Sequence, residues 1–228
     1  MEPYGDDIYT EPDADPNTLA NLGPLTPMAG TWESRRGDNL HPIGAGSDRD
    51  GGTVQGGGLR TGYVEHYDLQ PIDPQTNGPQ LFYGLRYHVH IVKPGEVETF
   101  HDQVGYWLWE PATHTVLHTL AIPRGQVALA AGVAEPDAKQ FEVFASEGEA
   151  HYGILSNPFL ESAFRTLSFR IRVTAHDDDT WTYDEDTVLQ IPDRPEPFHH
   201  TDTNTMTRVA APARNPLMAA AADAVGAG

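Results

Sequence analysis

Along most of the chain, hydrophobic and polar residues alternate at every second position, which is the pattern of β-strands with one buried face. Residues 165–175 show it best, with apolar residues on one face and Arg170 and Arg172 on the other. Alternating, or β-branched and aromatic, segments predict further strands at 81–92, 104–110, 113–122, 126–133, 139–145, 180–191 and 203–210. Short segments rich in Gly, Pro, Asn and Asp lie between them and predict turns.

These strands follow one another at hairpin spacing without a convincing long helix, so the sequence predicts an all-β fold. We expect an antiparallel up-and-down β-barrel of about ten strands, because closure removes exposed strand edges. A β-sandwich is the structural alternative. A barrel of this size is wider than its own side chains can fill, and we therefore expect a ligand cavity. The apolar segment 19–28 is broken by Pro24 and Pro27 and predicts a short N-terminal helical turn.

Composition divides the chain into three parts. Residues 1–16 contain acidic residues and no basic one, which predicts a disordered acidic tail. Residues 17–210 form the predicted β-barrel ligand-binding domain, and the small apolar residues of 211–228 predict a flexible C-terminal tail. Within the barrel, the Gly- and Asp-rich residues 38–58 predict a flexible loop between strands.

The chain is strongly acidic, with a formal net charge of -19 over 228 residues. Nucleic acids and anionic membrane surfaces bind clustered cations, so we expect neither as a partner. The absence of cysteine excludes disulfides, thiolate metal sites and a cysteine nucleophile. The first residues lack the positive and apolar regions of a secretory signal, and no apolar stretch is long enough to span a membrane. We therefore expect a cytoplasmic protein.

Histidine supplies the main candidate chemistry, because no catalytic nucleophile motif is present. The acidic runs at 177–179 and 184–186 are expected to be solvated beside turns. His88 and His90 lie two positions apart in a strand and therefore share a face. With Glu96 and His200 they loosely resemble the two cupin motifs, which would bind iron, manganese or zinc. The spacing does not fit those motifs, so a cupin-type metal site is the weaker alternative.

Four segments carry short motifs in a fixed order: Gly30-Thr31-Trp32-Glu33, residues 100–106 (Phe-His-Asp-Gln-Val-Gly-Tyr), residues 121–125 (Ala-Ile-Pro-Arg-Gly) and residues 197–200 (Pro-Phe-His-His). In type and order they resemble motifs of the nitrobindin family. The members of that family are haem-binding β-barrels with a fold like that of fatty-acid-binding proteins and lipocalins. The resemblance extends over roughly residues 19–209. It therefore covers almost the whole predicted barrel.

The resemblance implies that the barrel binds ferric haem b. His200 is the first candidate for the axial iron ligand and His199 the second. The resemblance also implies that His101, Trp32 and Thr31 contact the cofactor. Haem iron with an open axial position would bind nitric oxide, and the reaction associated with the family is the isomerisation of peroxynitrite to nitrate. No residue of the chain itself is predicted to be catalytic.

The resemblance does not fix which of two neighbouring positions, 200 or 201, corresponds to the iron-ligating histidine of the family. Alignment on Pro197 places the histidine of the family at Thr201, one position after His200. A shift of one residue in a strand turns the side chain to the other face of the sheet. A bulge or a shorter turn would return His200 to the cavity.

Other functions stay open on the sequence alone. The same barrel could carry a fatty acid or another small apolar ligand without haem, and such carriers bind the carboxylate with buried arginine and tyrosine. The alternation in 165–175 predicts instead that Arg170 and Arg172 face outward. A barrel with a filled interior would bind no ligand. A homodimer is an open alternative to a monomer.

Overall fold

The computed structural model describes residues 4–43, 52–177 and 179–226. It has three α-helices, α1 (Thr18–Asn21), α2 (Pro158–Ala163) and α3 (Pro216–Gly226), and a 3₁₀ helix (Gly23–Met28). The strands are β1 (Gly30–Pro42), β2 (Thr53–Gln55), β3 (Gly58–Pro71), β4 (Gln75–Asn77), β5 (Gln80–Val92), β6 (Thr99–Glu110), β7 (Thr115–Ile122), β8 (Gln126–Val133), β9 (Gln140–Glu147), β10 (Gly153–Ser156), β11 (Arg165–Ala175), β12 (Thr180–Gln190) and β13 (Phe198–Ala210).

These strands form a closed β-barrel. The described residues make a 13-stranded sheet in the order β2-β3-β1-β13-β12-β11-β9-β10-β8-β7-β6-β5-β4, and β3 also pairs with β5. The β3–β5 pairing joins the two sides of the sheet, so that the short strands β2 and β4 lie outside the ring. The prediction of an all-β, up-and-down barrel with a short N-terminal helical turn is therefore confirmed.

One strand departs from the predicted antiparallel order. β10 pairs antiparallel with β8 but parallel with β9. It lies between two strands that pair directly at one position, Ala131 with Phe144. The sequence did not predict β10, because Gly153–Ser156 is too short to show a strand periodicity.

The loop predicted for residues 38–58 is shorter in the structure. β1 continues to Pro42, and Thr53–Gln55 form β2 against β3, so the prediction is wrong at both ends of the segment. Gly56 and Gly57 connect β2 to β3 with φ angles of 56° and 74°, which glycine adopts without strain. Residues 44–51 of the predicted loop lie outside the described residues.

Residues 22–28, which we call the plug, close one end of the barrel. Gly23 has a φ of +55° and lies so close to Trp109 that an added Cβ would be 2.5 Å from the indole ring. The plug lies where β1 begins and β6 ends, and its buried side chains belong to the main apolar core: Leu22, Leu25 and Met28. The interior at this end is therefore filled by side chains.

Asn215 ties the C-terminal segment to the start of the barrel. Its buried side chain donates through Nδ2 to Pro16 O at 2.9 Å and to Asp73 Oδ1 at 2.7 Å. α3 follows directly and was not predicted, because its small residues show little periodicity. The disorder predicted for residues 1–16 and the flexibility predicted for 211–228 stay predictions. Of the helices in the described residues, none is long and apolar enough to cross a membrane.

If the plug is part of the folded core, Leu25→Ala should lower the free energy of unfolding by about 2–5 kcal/mol, because it leaves a cavity in a fully buried site. Urea denaturation followed by tryptophan fluorescence measures this change. Leu155→Ala is the matched control, because Leu155 is 73% exposed on β10. Equal losses in the two variants would contradict a core role for the plug.

Candidate functional site

A cavity of about 610 Å³ lies inside the other half of the barrel. This size suits a small-molecule ligand. β1 begins beside the plug, and the residues at its far end, His41 and Pro42, line the cavity. Other residues near this opening, which we call the mouth, are Lys93 and Arg124. Apolar side chains form much of the wall, among them Val89, Ile91, Leu120, Ile122, Phe169 and Leu189. The predicted ligand cavity is thus present.

The alternation of β13 decides which histidine faces this cavity. Phe198, His200 and Asp202 point to the interior, and His200 and Asp202 line the cavity. Thr201 pairs with Leu40 of β1 and is not a lining residue. The register therefore turns His200, and not the position aligned with the family's histidine, to the cavity.

His200 is a neutral imidazole in this environment. Burial, and then repulsion by His41, His101 and Arg124, lowers the pKa of His200 to about 4. Its Nε2 accepts a hydrogen bond from Asn39 Nδ2 at 2.9 Å, which places the ring proton on Nδ1. A neutral imidazole has the lone pair that a metal ligand requires.

The other predicted cofactor residues lie in different places. His101 lines the cavity from β6, across the barrel from β13, and burial lowers the pKa of His101. His199 is on the outer surface, where Nδ1 contacts Asp186 Oδ2 at 2.8 Å and 61% of the side chain is exposed. Only His200 and His101 of the predicted set therefore reach the cavity.

Trp32 and Thr31 do not line the cavity. Trp32 is fully buried near the plug, donates from Nε1 to Met28 O at 2.7 Å and packs edge-on against Trp181. Thr31 donates to Asp68 Oδ1 at 2.8 Å beside it. Both residues support the closed end of the barrel, and their predicted contact with a cofactor has no support in their position.

The alternative sites are not assembled. His88 lies on the outer face and contacts Asp102 Oδ2 at 2.9 Å, and no group of three or more possible metal ligands occurs among the described residues. Arg170 and Arg172 face outward as predicted. Arg170 forms an ion pair with Asp184 at 2.7 Å, and Arg172 forms one with Glu142 at 2.8 Å. Neither arginine can therefore bind a carboxylate inside the barrel.

Three carboxylates line the cavity and were missed in the sequence: Glu65, which is buried, and Glu185 and Asp202, which are half-buried. We call them the carboxylate group. Residues 184–186 lie in the middle of β12 and not beside a turn. The prediction that they are solvated is therefore wrong for Glu185, which points into the cavity. The available signal was the period of two, since Tyr183, Glu185 and Thr187 alternate with the outward Asp184 and Asp186.

Hydrogen bonds connect two of these carboxylates to polar side chains of the interior. Glu65 Oε2 accepts from Tyr183 Oη at 2.8 Å and from Asn204 Nδ2 at 2.6 Å. The hydroxyl of Tyr63 donates a hydrogen bond to Asp202. The same hydroxyl oxygen is 2.7 Å from the hydroxyl oxygen of Tyr183. A polar network therefore extends through the interior beside His200.

The carboxylate group carries raised pKa values. Burial, and then the charge of Asp202, raises the pKa of Glu65 to about 8. Burial, followed by the charges of Asp202 and Glu65, likewise raises the pKa of Glu185 to about 8. Glu185 and Asp202 are directly opposite each other on β12 and β13, where two like charges repel.

These features define a class of protein: a β-barrel with a plug at one end, and at the other end a ligand cavity with a neutral imidazole on its wall. A family model described as "THAP4-like, heme-binding beta-barrel domain" matches residues 21–208. The chain belongs to this family, and the resemblance to nitrobindin-like haem-binding barrels is confirmed.

A solved structure is similar to this fold. The crystal structure of Rv2717c from M. tuberculosis matches with a TM-score of 0.55 and 17% sequence identity, over 82% of this chain and 96% of that chain. At this identity the match supports the fold alone. No curated protein matches the sequence.

We expect Glu185→Gln to stabilise the protein, because the amide keeps the shape of the side chain and cannot ionise. Because the pKa of Glu185 is higher in the folded protein, the wild type loses stability as Glu185 is deprotonated. The gain in stability from Glu185→Gln should therefore be small below about pH 4.5 and increase up to about pH 8. Near that upper limit, thermal or urea unfolding should show a gain of about 1–3 kcal/mol.

Asp184→Asn is the matched control, because Asp184 is the outward neighbour and forms a surface ion pair with Arg170. Its removal should change the free energy of unfolding by less than about 1 kcal/mol. A loss of stability in Glu185→Gln would show that the ionised carboxylate stabilises the fold.

Proposed function

We propose that the protein binds ferric haem b in its cavity and that His200 would hold the iron. The observation that carries this proposal is the inward, neutral imidazole of His200 on the wall of a cavity of about 610 Å³. The family to which the chain belongs supports the same ligand. His199, the second candidate in the sequence, is on the outer surface and is not part of the proposal.

The residues of the cavity fit this cofactor. Apolar side chains such as Val89, Phe169 and Leu189 supply a wall that suits a porphyrin. Lys93 and Arg124 at the mouth are cations of the kind that bind propionate carboxylates. Ligation through His200 Nε2 requires the amide of Asn39 to turn away, and Asp202 Oδ2 at 3.1 Å is already a second acceptor for that amide.

Bound haem would supply a Lewis-acidic iron centre, which the nitrobindin resemblance links to nitric oxide binding and peroxynitrite isomerisation. The role of the chain is to hold the cofactor through His200 and to surround it with a wall that excludes water. His101 lines the opposite side of the cavity from β6 and would contact a ligand bound on that side. A cytoplasmic location and a homodimer stay predictions.

A hemin titration of the haem-free protein tests this proposal. The wild type should shift the Soret band of hemin, and His200→Ala should remove the shift or weaken binding by about tenfold or more, because the iron loses its protein ligand. His199→Ala is the matched control and should bind as the wild type does, since its imidazole lies outside the barrel.

An unchanged spectrum in His200→Ala would contradict the role of His200 as the iron ligand, and no Soret shift in the wild type would contradict haem binding itself. Solvent extraction of the purified protein followed by mass spectrometry distinguishes haem binding from the alternative, a haem-free carrier of an apolar ligand. A porphyrin in the extract supports the proposal, and an apolar lipid alone would favour a carrier.

A further inference from the structure

A large apolar region lies on the outer surface of the barrel. Six of the sixteen large hydrophobic residues that are exposed among the described residues point outward from β6, β8 and β9, and we call them the outer apolar face: Val104, Tyr106, Val127, Leu129, Val133 and Phe144. Their exposed fractions range from 37% for Leu129 to 74% for Val133. Single apolar residues are common on a protein surface, whereas a large contiguous group is typical of an interaction surface.

The strand register makes these residues neighbours. Val104 pairs with Ala121 on β7, and Ala121 pairs with Val127 on β8, so an apolar row crosses three strands. Further along β8, Ala131 pairs with Phe144 of β9. The outward positions of β7 and β8 carry no charged side chain: Thr115, Leu117, Thr119, Ala121, Val127, Leu129, Ala131 and Val133. The apolar region is therefore continuous.

β8, at the centre of this region, has hydrophobic residues on both of its faces. After Gln126, residues 127–133 contain only valine, alanine, leucine and glycine. Such a run is typical of a strand that is buried on both faces, whereas a strand with one solvated face alternates with polar residues, as β11 does. Ala130 on the inner face is fully buried, but the outward Val127 and Leu129 are 45% and 37% exposed in the single chain. The sequence of β8 thus fits a strand whose outer face is also covered.

Charged side chains lie at the borders of the outer apolar face. Arg86 on β5 pairs with Tyr106 at one border, and Arg170 on β11 pairs with Phe144 at the other. An apolar centre with a polar rim is the usual arrangement of a protein–protein interface.

The area of the outer apolar face is enough for a dimer. At their exposed fractions, its six residues present on the order of 600 Å². Half-buried apolar residues of β6, β7 and β8 lie among them and add to this area: Leu108, Leu117, Ala121 and Ala131. Two such faces in contact would therefore bury about 1,200 Å² or more, which reaches the range of specific interfaces, about 1,200–2,000 Å².

We propose that the outer apolar face binds a second copy of this chain, so that the protein forms a homodimer in which both copies use this same face. β8 is hydrogen-bonded to β7 on one side and to β10 and β9 on the other, so a partner cannot extend the sheet there. The two barrels must instead pack face to face, as the sheets of a β-sandwich do, with outward side chains interdigitating.

Charge favours a second copy as the occupant. Each copy has a net charge of -19, so two copies repel each other unless the surfaces in contact are uncharged. The outward positions of β7 and β8 meet this requirement. An anionic membrane surface would repel a chain of this charge. The inference depends on the outer surface of the barrel and does not depend on haem.

Analytical ultracentrifugation of the haem-free full-length protein tests this proposal. At about 50 μM the wild type should have a mass of about 50 kDa, twice the 25.0 kDa of one chain. Leu129→Lys should have the mass of one chain, because it places a charge at the centre of the apolar contact. Leu129 already points outward, so the lysine reaches solvent in the single chain, and far-UV circular dichroism should show a folded barrel.

Thr205→Lys is the matched control, because it adds the same charge at an exposed, outward position of β13, across the barrel from β8. It should keep the mass of the dimer. Phe144→Lys is a second variant of the outer apolar face and should also have the mass of one chain. It decides the outcome if Leu129→Lys does not fold.

A monomeric wild type, a dimer that persists in every folded lysine variant of the face, or loss of the dimer in Thr205→Lys would each overturn the proposal. A monomeric wild type that co-sediments with neutral phosphatidylcholine vesicles would assign the face to a lipid surface instead. These measurements contain no hemin, so their failure is separate from a failure of haem binding.

Discussion

Closure of the sheet through the pairing of β3 with β5 is the constraint on which the rest of the structure depends. An open sheet would have two faces in contact with solvent, whereas a closed sheet has an interior and an exterior. Because side chains alternate along each strand, closure assigns every residue to one side. His200 and Asp202 come to the interior in this way, and His199 comes to the surface.

The two ends of the closed barrel have different contents. The plug and the indole side chains of Trp32, Trp109 and Trp181 fill the interior where β1 begins. No tryptophan is among the described residues that line the cavity, and this half of the barrel retains space for a ligand. The filled end supplies apolar burial that stabilises the fold, which allows the other end to contain polar residues at a cost in stability.

Several polar residues of the cavity lower the stability of the fold. Glu185 and Asp202 face each other across β12 and β13, and the buried Nδ1 of His118 has no partner among the described residues. Each of these arrangements is unfavourable in an isolated protein. Such local conflicts occur mainly at functional sites, where a ligand supplies what the chain lacks. The neutral imidazole of His200 and the carboxylate group give the cavity two chemically different regions.

The sequence by itself determined eight of the strands, β5 to β9 and β11 to β13, but not β1 to β4 or β10. It also determined the barrel class and the outward direction of Arg170 and Arg172, because these follow from alternation within single strands. Family motifs added His200 and His101 as candidate site residues, and both line the cavity. The tertiary structure decided the register that turns His200 inward and the inward direction of Glu185, whose acidic neighbours made it look solvated. It also placed Trp32 and Thr31 away from the cavity. Burial depends on which strands close the barrel, and pairings between distant strands leave no local pattern in the sequence.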